Sequence, residues 1–328
     1  MLIDIPKDWE IPEREATPET VYMNRRSFLA SMGLTGASAM ALVSGCTPWG
    51  DPGPEIKPLS AWTLTEAEKA VYPPRRNPEF VLDRTMTEEA VAARFNNFYE
   101  FSSNKDDVYR QVEDPKRSFS VRPWTVEVAG LVEKPLSFDP DDLLRKMPME
   151  ERLYRLRCVE AWAMAVPWIG FPMKAFVDLV RPLSKARYVK FSTYRWKNIG
   201  DFLSYGAPWP YTEGLTMAEA VNPLTMLVTG IYGHPLPKQH GAPLRLVIPW
   251  KYGYKSIKSI ARIEFTEEQP RTFWNTLIPD EYGFEANVNP RVPHPRWSQA
   301  TEKMIGTGER RQTLLYNGYE KYAASMYG

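Results

Sequence analysis

Cys158 sits in the run Tyr154-Arg155-Leu156-Arg157-Cys158-Val159-Glu160-Ala161-Trp162. Arg157 adjoins it and Arg155 stands two residues further back. Positive charge beside a thiol favours thiolate, the form that binds soft metals. Only one other cysteine, Cys46, occurs, and it lies in an N-terminal segment that reads as a signal. Cys158 is then the only thiol of the folded part, so no internal disulfide is available to it. Alternation from Glu151 to Val159 puts Leu156 and Cys158 on one face and the two arginines on the other. A strand ending at Cys158, followed by a loop, would set the sulfur at a cleft. The residues alone leave two readings open: a small buried core thiol, or a metal ligand. Glu160, two residues on, reads either as a proton donor or as an ion-pair partner for an arginine.

A second cluster, His240, Arg245, Lys255 and Lys258, surrounds a stretch punctuated by glycine and proline. Cations and free backbone N–H groups together suit a phosphate, although a solvated basic face would look the same. The formal net charge is +1, so no broad attraction to nucleic acid is expected. There is no Gly-x-Gly-x-x-Gly or P-loop, and no Cys-x-x-Cys-His for a haem.

Arg157-Cys158-Val159-Glu160-Ala161-Trp162, followed by Val166-Pro167-Trp168-Ile169-Gly170-Phe171-Pro172, resembles the metal-cysteine segment of the sulfite-oxidase superfamily. In detail it is similar to the catalytic subunits of the periplasmic protein-methionine-sulfoxide reductases. Asn96-Asn97-Phe98-Tyr99-Glu100-Phe101 resembles that family's first pterin-contacting segment. Gly241-Ala242-Pro243-Leu244-Arg245-Leu246 and Pro249 to Ile260 resemble its second, and Asp280 to Phe284, Ala286 to Pro290 and His294 to Glu302 its C-terminal one. The resemblance implies Mo-molybdopterin, one per chain, with Cys158 as the molybdenum ligand. It implies that Asn96, Tyr99, Glu100, Thr193, His240, Arg245, Ser256, Ile257 and Lys258 contact the pterin. His240 departs from the Asn common at its position, though both side chains can donate to a phosphate. Implied too are oxygen-atom transfer from methionine sulfoxide in oxidised periplasmic proteins, an apolar substrate site shaped by Trp162, Trp274 and Tyr282, and a membrane haem-b, quinol-linked electron donor. A related enzyme acting on other S-oxides, N-oxides or sulfite, and a binding protein without cofactor, stand as alternatives.

These side chains need short elements to place them. The 30 prolines and 13% aromatics argue against a helical bundle. Strands are expected at Thr125–Ala129, Leu153–Val159, Tyr188–Tyr194, Leu224–Ile231, Leu244–Pro249 and Ile260–Thr266. Helices are expected at Asp141–Lys146, Lys174–Val180 and Met217–Val221, the last with a Thr216/Glu219 capping box. Without a regular βαβ period, these predict an α+β fold. The resemblance specifies it as the sulfite-oxidase-type molybdopterin-binding fold, with mixed sheets, short helices and long loops. About 70 residues follow Lys258, too few for the C-terminal sandwich through which eukaryotic-type sulfite oxidases dimerise, so a monomer is expected.

Residues 1–46 read as an export signal, 47–95 as a Pro-rich lead-in packed on the core, and 96–328 as the catalytic domain. Asn24-Arg25-Arg26-Ser27-Phe28-Leu29 resembles a twin-arginine motif, followed by an apolar, small-residue stretch to Gly45 too short for a membrane span. Leu42-Val43-Ser44-Gly45-Cys46 resembles a lipoprotein box. A periplasmic location, with a lipid on Cys46 as one form of it, is the expectation.

Overall fold

The computed structural model describes residues 53–117, 119–195 and 207–327. The twin-arginine motif, the apolar stretch and Cys46 lie outside the described residues. Pro54–Gly328 form one compact unit.

Two mixed sheets carry that unit. In the first the order is β2-β1-β10-β5-β6, with β1 Val126–Gly130, β2 Leu136–Phe138, β5 Tyr188–Thr193, β6 Thr212–Thr216 and β10 Ile260–Thr266. Only β1 and β10 are parallel in it. The second runs β12-β11-β4-β7-β8, with β3 also pairing β4 and β9 also pairing β7. Its strands are β3 Glu150–Arg157, β4 Trp162–Pro172, β7 Met226–Ile231, β8 His234–Pro235, β9 Arg245–Val247, β11 Thr301–Met304 and β12 Arg310–Gln312. The longest described α-helix, Met173–Val180, has 8 residues. The α+β expectation holds: mixed sheets, short helices and long connections.

Local chemistry explains the helices that were legible. Thr216 accepts from the Glu219 N–H, and Glu219 returns to the Thr216 N–H, closing the expected capping box. Pro140 begins its helix at a position where the missing N–H costs nothing, and Asp139 caps it. Strands β2, β4, β6, β8, β11 and β12 were not expected, and β4 is the longest of all. Its run Trp-Ala-Met-Ala-Val-Pro-Trp-Ile-Gly-Phe-Pro has no alternation because nine of its eleven residues are buried. Pro167 sits opposite Leu153 of β3, just before β7 begins pairing at Trp168. It therefore falls outside the β4–β7 register, where a proline would be hardest to place.

One continuous core holds the sheets, with Trp168, Trp250, Phe171, Phe176, Phe191 and Phe265 fully buried. Each such side chain contributes on the order of 2 kcal/mol. The lead-in adds two helices, Glu66–Val71 and Glu89–Arg94. Between them the Tyr72 hydroxyl donates to Thr229 Oγ1 at 2.9 Å, and Arg76 pairs with Glu151 at 2.5 Å. Thr87 clamps β4 twice: its N–H donates to Ala165 O at 2.9 Å, and its Oγ1 accepts from the Ala165 N–H at 3.0 Å.

Candidate active site

Cys158 follows directly on β3, one residue short of where the expected strand ends. Its N–H donates to Trp162 O at 2.9 Å, and the Ala161 N–H donates to Cys158 O at 3.1 Å. Val159, Glu160 and Ala161 thus form a three-residue hairpin loop between β3 and β4, closed by Ala161 at φ 65°. The loop turns the sulfur onto the wall of a cleft of about 990 Å³, its open mouth included. That is room for a bound cofactor rather than a packing defect.

The sulfur is held inside a small polar net. Asn97 Nδ2 lies 3.4 Å from Cys158 Sγ and 3.2 Å from Glu160 Oε2. Glu160 Oε2 stands 3.6 Å from Sγ and accepts from Trp162 Nε1 at 3.1 Å. Glu160 Oε1 pairs with Lys105 at 3.2 Å and lies 3.4 Å from the Tyr99 hydroxyl. Burial works against the Glu160 charge, but Lys105 and the Trp162 and Asn97 donors outweigh it and hold the carboxyl below its usual range. Its ion-pair partner is thus a lysine, not an arginine.

The expectation that the flanking arginines keep Cys158 ionised is corrected. Burial pushes the thiol far above its ordinary range and the Glu160 charge adds to that, outweighing the Glu160 N–H hydrogen bond, Arg157 and Lys105, which lower it. Arg155 is turned to Asp83 at 2.9 Å. A metal binding here has to displace the thiol proton itself. Among the described residues no three His, Cys, Asp or Glu side chains converge on a metal position, so further donors must come from a cofactor.

The deep end of the cleft is cationic. His240 is the last residue of the 3-10 turn Lys238–His240, which is capped by Gly241 at φ 95°, where a Cβ would lie 2.7 Å from Lys258 Cβ. Only glycine lets these two segments close. Arg245, on β9, donates to His240 O at 2.9 Å and Ser256 O at 3.1 Å, and lies over the Trp168 ring at 4.6 Å. Lys258 donates to Asn97 O and Gln239 O, both at 2.8 Å. Both cations are thus buried against neutral carbonyls. Burial pushes Arg245 down to about 9, and burial with Arg245 pushes Lys258 well below the lysine range. Burial raises Glu100 to about 7, against Lys258 and a backbone hydrogen bond. His240 Nε2 is buried with no hydrogen-bond partner. Buried cations on carbonyls and an idle ring nitrogen are a polyanion's contact set.

The mouth is aromatic. Trp274 stacks on Tyr282 at 5.0 Å, and Tyr99 meets Trp274 edge-on at 5.4 Å. Tyr254 meets Tyr282 edge-on at 5.3 Å.

Of the residues expected at the site, Asn96, Tyr99, Glu100, Cys158, Glu160, His240, Arg245, Ser256, Ile257 and Lys258 all line this cleft, as do Trp162, Trp274 and Tyr282. Thr193 is not among its lining; its hydroxyl donates to Ser259 O at 3.1 Å, one residue beyond Lys258. Lys255 is turned away to Glu213 at 2.8 Å. Asn97, Trp168, Tyr211 and Tyr254 line the cleft without having been singled out. Asn97 was within reach, lying inside the Asn-Asn-Phe-Tyr-Glu-Phe run; Tyr211 carries no sequence signal.

A single sulfur on the wall of a cleft with buried cations fits an enzyme that holds an anionic, metal-bearing cofactor. Residues 112–274 match the family described as the oxidoreductase molybdopterin binding domain. Over 325 residues the chain is 44% identical to the protein-methionine-sulfoxide reductase catalytic subunit MsrP of Burkholderia mallei (strain ATCC 23344), covering 97% of this chain and 93% of that protein. The chain belongs to that family of Mo-molybdopterin oxidoreductases. It is also similar to the sulfane dehydrogenase SoxCD from Paracoccus pantotrophus, at 16% identity and a TM-score of 0.43, over 84% of this chain and 66% of that one.

Proposed function

We propose that this chain reduces methionine sulfoxide in oxidised proteins by oxygen-atom transfer at a Mo-molybdopterin ligated by Cys158. The observation that carries this is the position of Cys158 Sγ on the cleft wall, in a cleft with buried cations held on carbonyls at its deep end and aromatic rings at its mouth. Bound there, the cofactor supplies two-electron oxygen-atom exchange. The chain does the rest. Cys158 gives up its proton and donates a thiolate. Arg245 and Lys258, with His240 Nε2 free to donate, hold the anionic end, and Ser256 and Ile257 line it. Asn96, Tyr99 and Glu100 also line the cleft, and the Asn97 carbonyl of the same run accepts from Lys258.

Glu160 and Asn97 bracket the sulfur; the Glu160 carboxylate, 3.6 Å from Sγ and held ionised by Lys105, can relay a proton to the reacting atoms after first accepting it. Trp162, Trp274 and Tyr282 give a methionine side chain an apolar wall, where sulfur–aromatic contacts are favourable. Electrons must arrive from outside, because the chain has no Cys-x-x-Cys-His. The relative's designation as a catalytic subunit fits a separate donor subunit; a membrane haem-b protein fed by quinol is the donor we propose. Export by the twin-arginine route to the periplasm, with Cys46 as a lipid anchor, completes the reading.

Purified protein should contain one molybdenum per chain and turn over oxidised protein faster than sulfite or small N-oxides. Cys158→Ala should abolish turnover and molybdenum EPR together. Full turnover in that variant, or protein free of molybdenum and pterin, sinks the proposal. Replacing Arg25 and Arg26 by lysine should retain the protein in the cytoplasm; unchanged export would refute the route.

A further inference from the structure

Behind the sulfur loop lies a buried charge cluster that the reaction described above does not use. Glu302 on β11 is shared by two arginines: Arg84 Nη1 at 2.5 Å from Oε1, and Arg157 Nε at 3.2 Å from Oε2. The three side chains are 1%, 3% and 0% exposed, respectively. Burying three charges with one carboxylate between two guanidinium groups leaves a net single positive charge. Asp83 also meets Arg84 at 3.1 Å, but it is shared with Arg155 at 2.9 Å, so counting that pair as well leaves the same single positive surplus.

The cluster reaches the loop through hydrogen bonds. Arg157 Nη1 donates to Cys158 O, and Nη2 donates to Gln299 Oε1 at 2.8 Å. Gln299 Nε2 in turn donates to Val159 O at 2.7 Å, as does Trp297 Nε1 at 2.7 Å. Both carbonyls at the start of the sulfur loop are therefore fixed by groups that Glu302 orders or that neighbour it in sequence.

We infer that Glu302, with Arg84 and Arg157, is a positioning residue set for Cys158: it fixes the loop and places an uncompensated positive charge behind the sulfur, raising the reduction potential of the metal that the sulfur binds. Positive charge near a redox centre stabilises the reduced, more negative state, and a dry site transmits that effect well. The inference rests on the reading of Cys158 as the ligand. The two charge signs in the cluster give it a test that simple destabilisation cannot imitate.

The measurement is EPR-monitored potentiometry of the molybdenum in the loaded protein. Arg84→Met leaves Glu302 paired one-to-one with Arg157, cancels the surplus charge, and should shift the midpoint to lower potential. Arg84→Lys keeps the charge and should restore the parental value. Glu302→Gln leaves two guanidinium groups without a carboxylate and should shift the midpoint upward. Should Glu302→Gln fail to fold, the two Arg84 variants decide alone. Midpoints unchanged in Arg84→Met, or moved the same way in both Arg84 variants, overturn the inference. A parental molybdenum EPR spectrum in Cys158→Ser would instead show that the ligand reading has failed, and the inference with it.

Discussion

Lys258 and Arg245 are the residues whose environment says most. A buried ammonium whose hydrogen bonds go only to carbonyls is costly unless its normal partner is an anion from outside the chain. In the cofactor-free protein Lys258→Met removes that cost and also strands the Asn97 and Gln239 carbonyls. The two effects oppose, so thermal stability should stay within about 2 kcal/mol of the parent. Molybdenum and pterin content should nevertheless be lost; full cofactor loading would show that the cations serve the fold alone. Glu100 gives the pH counterpart. Its carboxyl is raised from 4.5 to about 7 by burial, so the folded state keeps a proton that the unfolded chain releases. Stability is then fully present below about pH 4.5 and falls as pH rises to about 7, by about 3 kcal/mol at most. Glu100→Gln should flatten that decline in the Tm of cofactor-free protein; an equally steep decline would remove Glu100 as its source. The residue types of this site were legible in the sequence, since an anion site is built from His, Arg and Lys. Residue types alone did not say which lysine serves, though the family resemblance named Lys258: Lys255 and Lys258 are three apart, yet one turns to Glu213 and the other lines the cleft.

The hairpin between β3 and β4 is the element on which the chemistry turns. Its closing residue Ala161 adopts φ 65°, a left-handed conformation that costs a non-glycine residue about 1 kcal/mol. Ala161→Gly should therefore stabilise the protein by up to about 1 kcal/mol in denaturant titration. A loss of stability would mean that the Ala161 methyl has a packing role that outweighs the strain. Gly241→Ala should act oppositely, forcing a methyl to within 2.7 Å of Lys258 Cβ, and should lower both stability and pterin loading. Sequence patterning located β3 and missed β4 for one physical reason. A strand with one exposed face alternates, whereas one buried on both faces reads as an unbroken apolar run, here interrupted by Pro167 and Gly170 as well. The α+β class survived that omission, and those of the short strands β2, β6, β8, β11 and β12, because the six strands and the helix caps that were read are local signals.

Across the whole molecule, long-range pairings decide what is one folding unit, and these are what composition hides. The Pro-rich lead-in before Asn96 reads as a surface strap, yet Arg84 reaches Glu302 across 218 positions and Tyr72 reaches Thr229 across 157. Thr87 adds two bonds to the middle of β4, and Ala92 and Ala93 of the second lead-in helix are almost fully buried. Deleting this segment would leave Glu302 and Arg157 with altered charge balance and expose one side of β4. Losing a partner from a buried ionic cluster alone costs about 3–5 kcal/mol, much of a domain's net stability. A chain beginning at Pro54 should therefore melt cooperatively, because Pro54–Gly328 is one compact unit. A chain beginning at Asn96 should be unfolded or molten, without near-ultraviolet circular dichroism, although it keeps every residue lining the cleft except Ala92 and Phe95. If the shorter chain melted as cooperatively as the longer one, the lead-in would be an accessory to the cofactor site rather than part of the frame that holds the Cys158 loop.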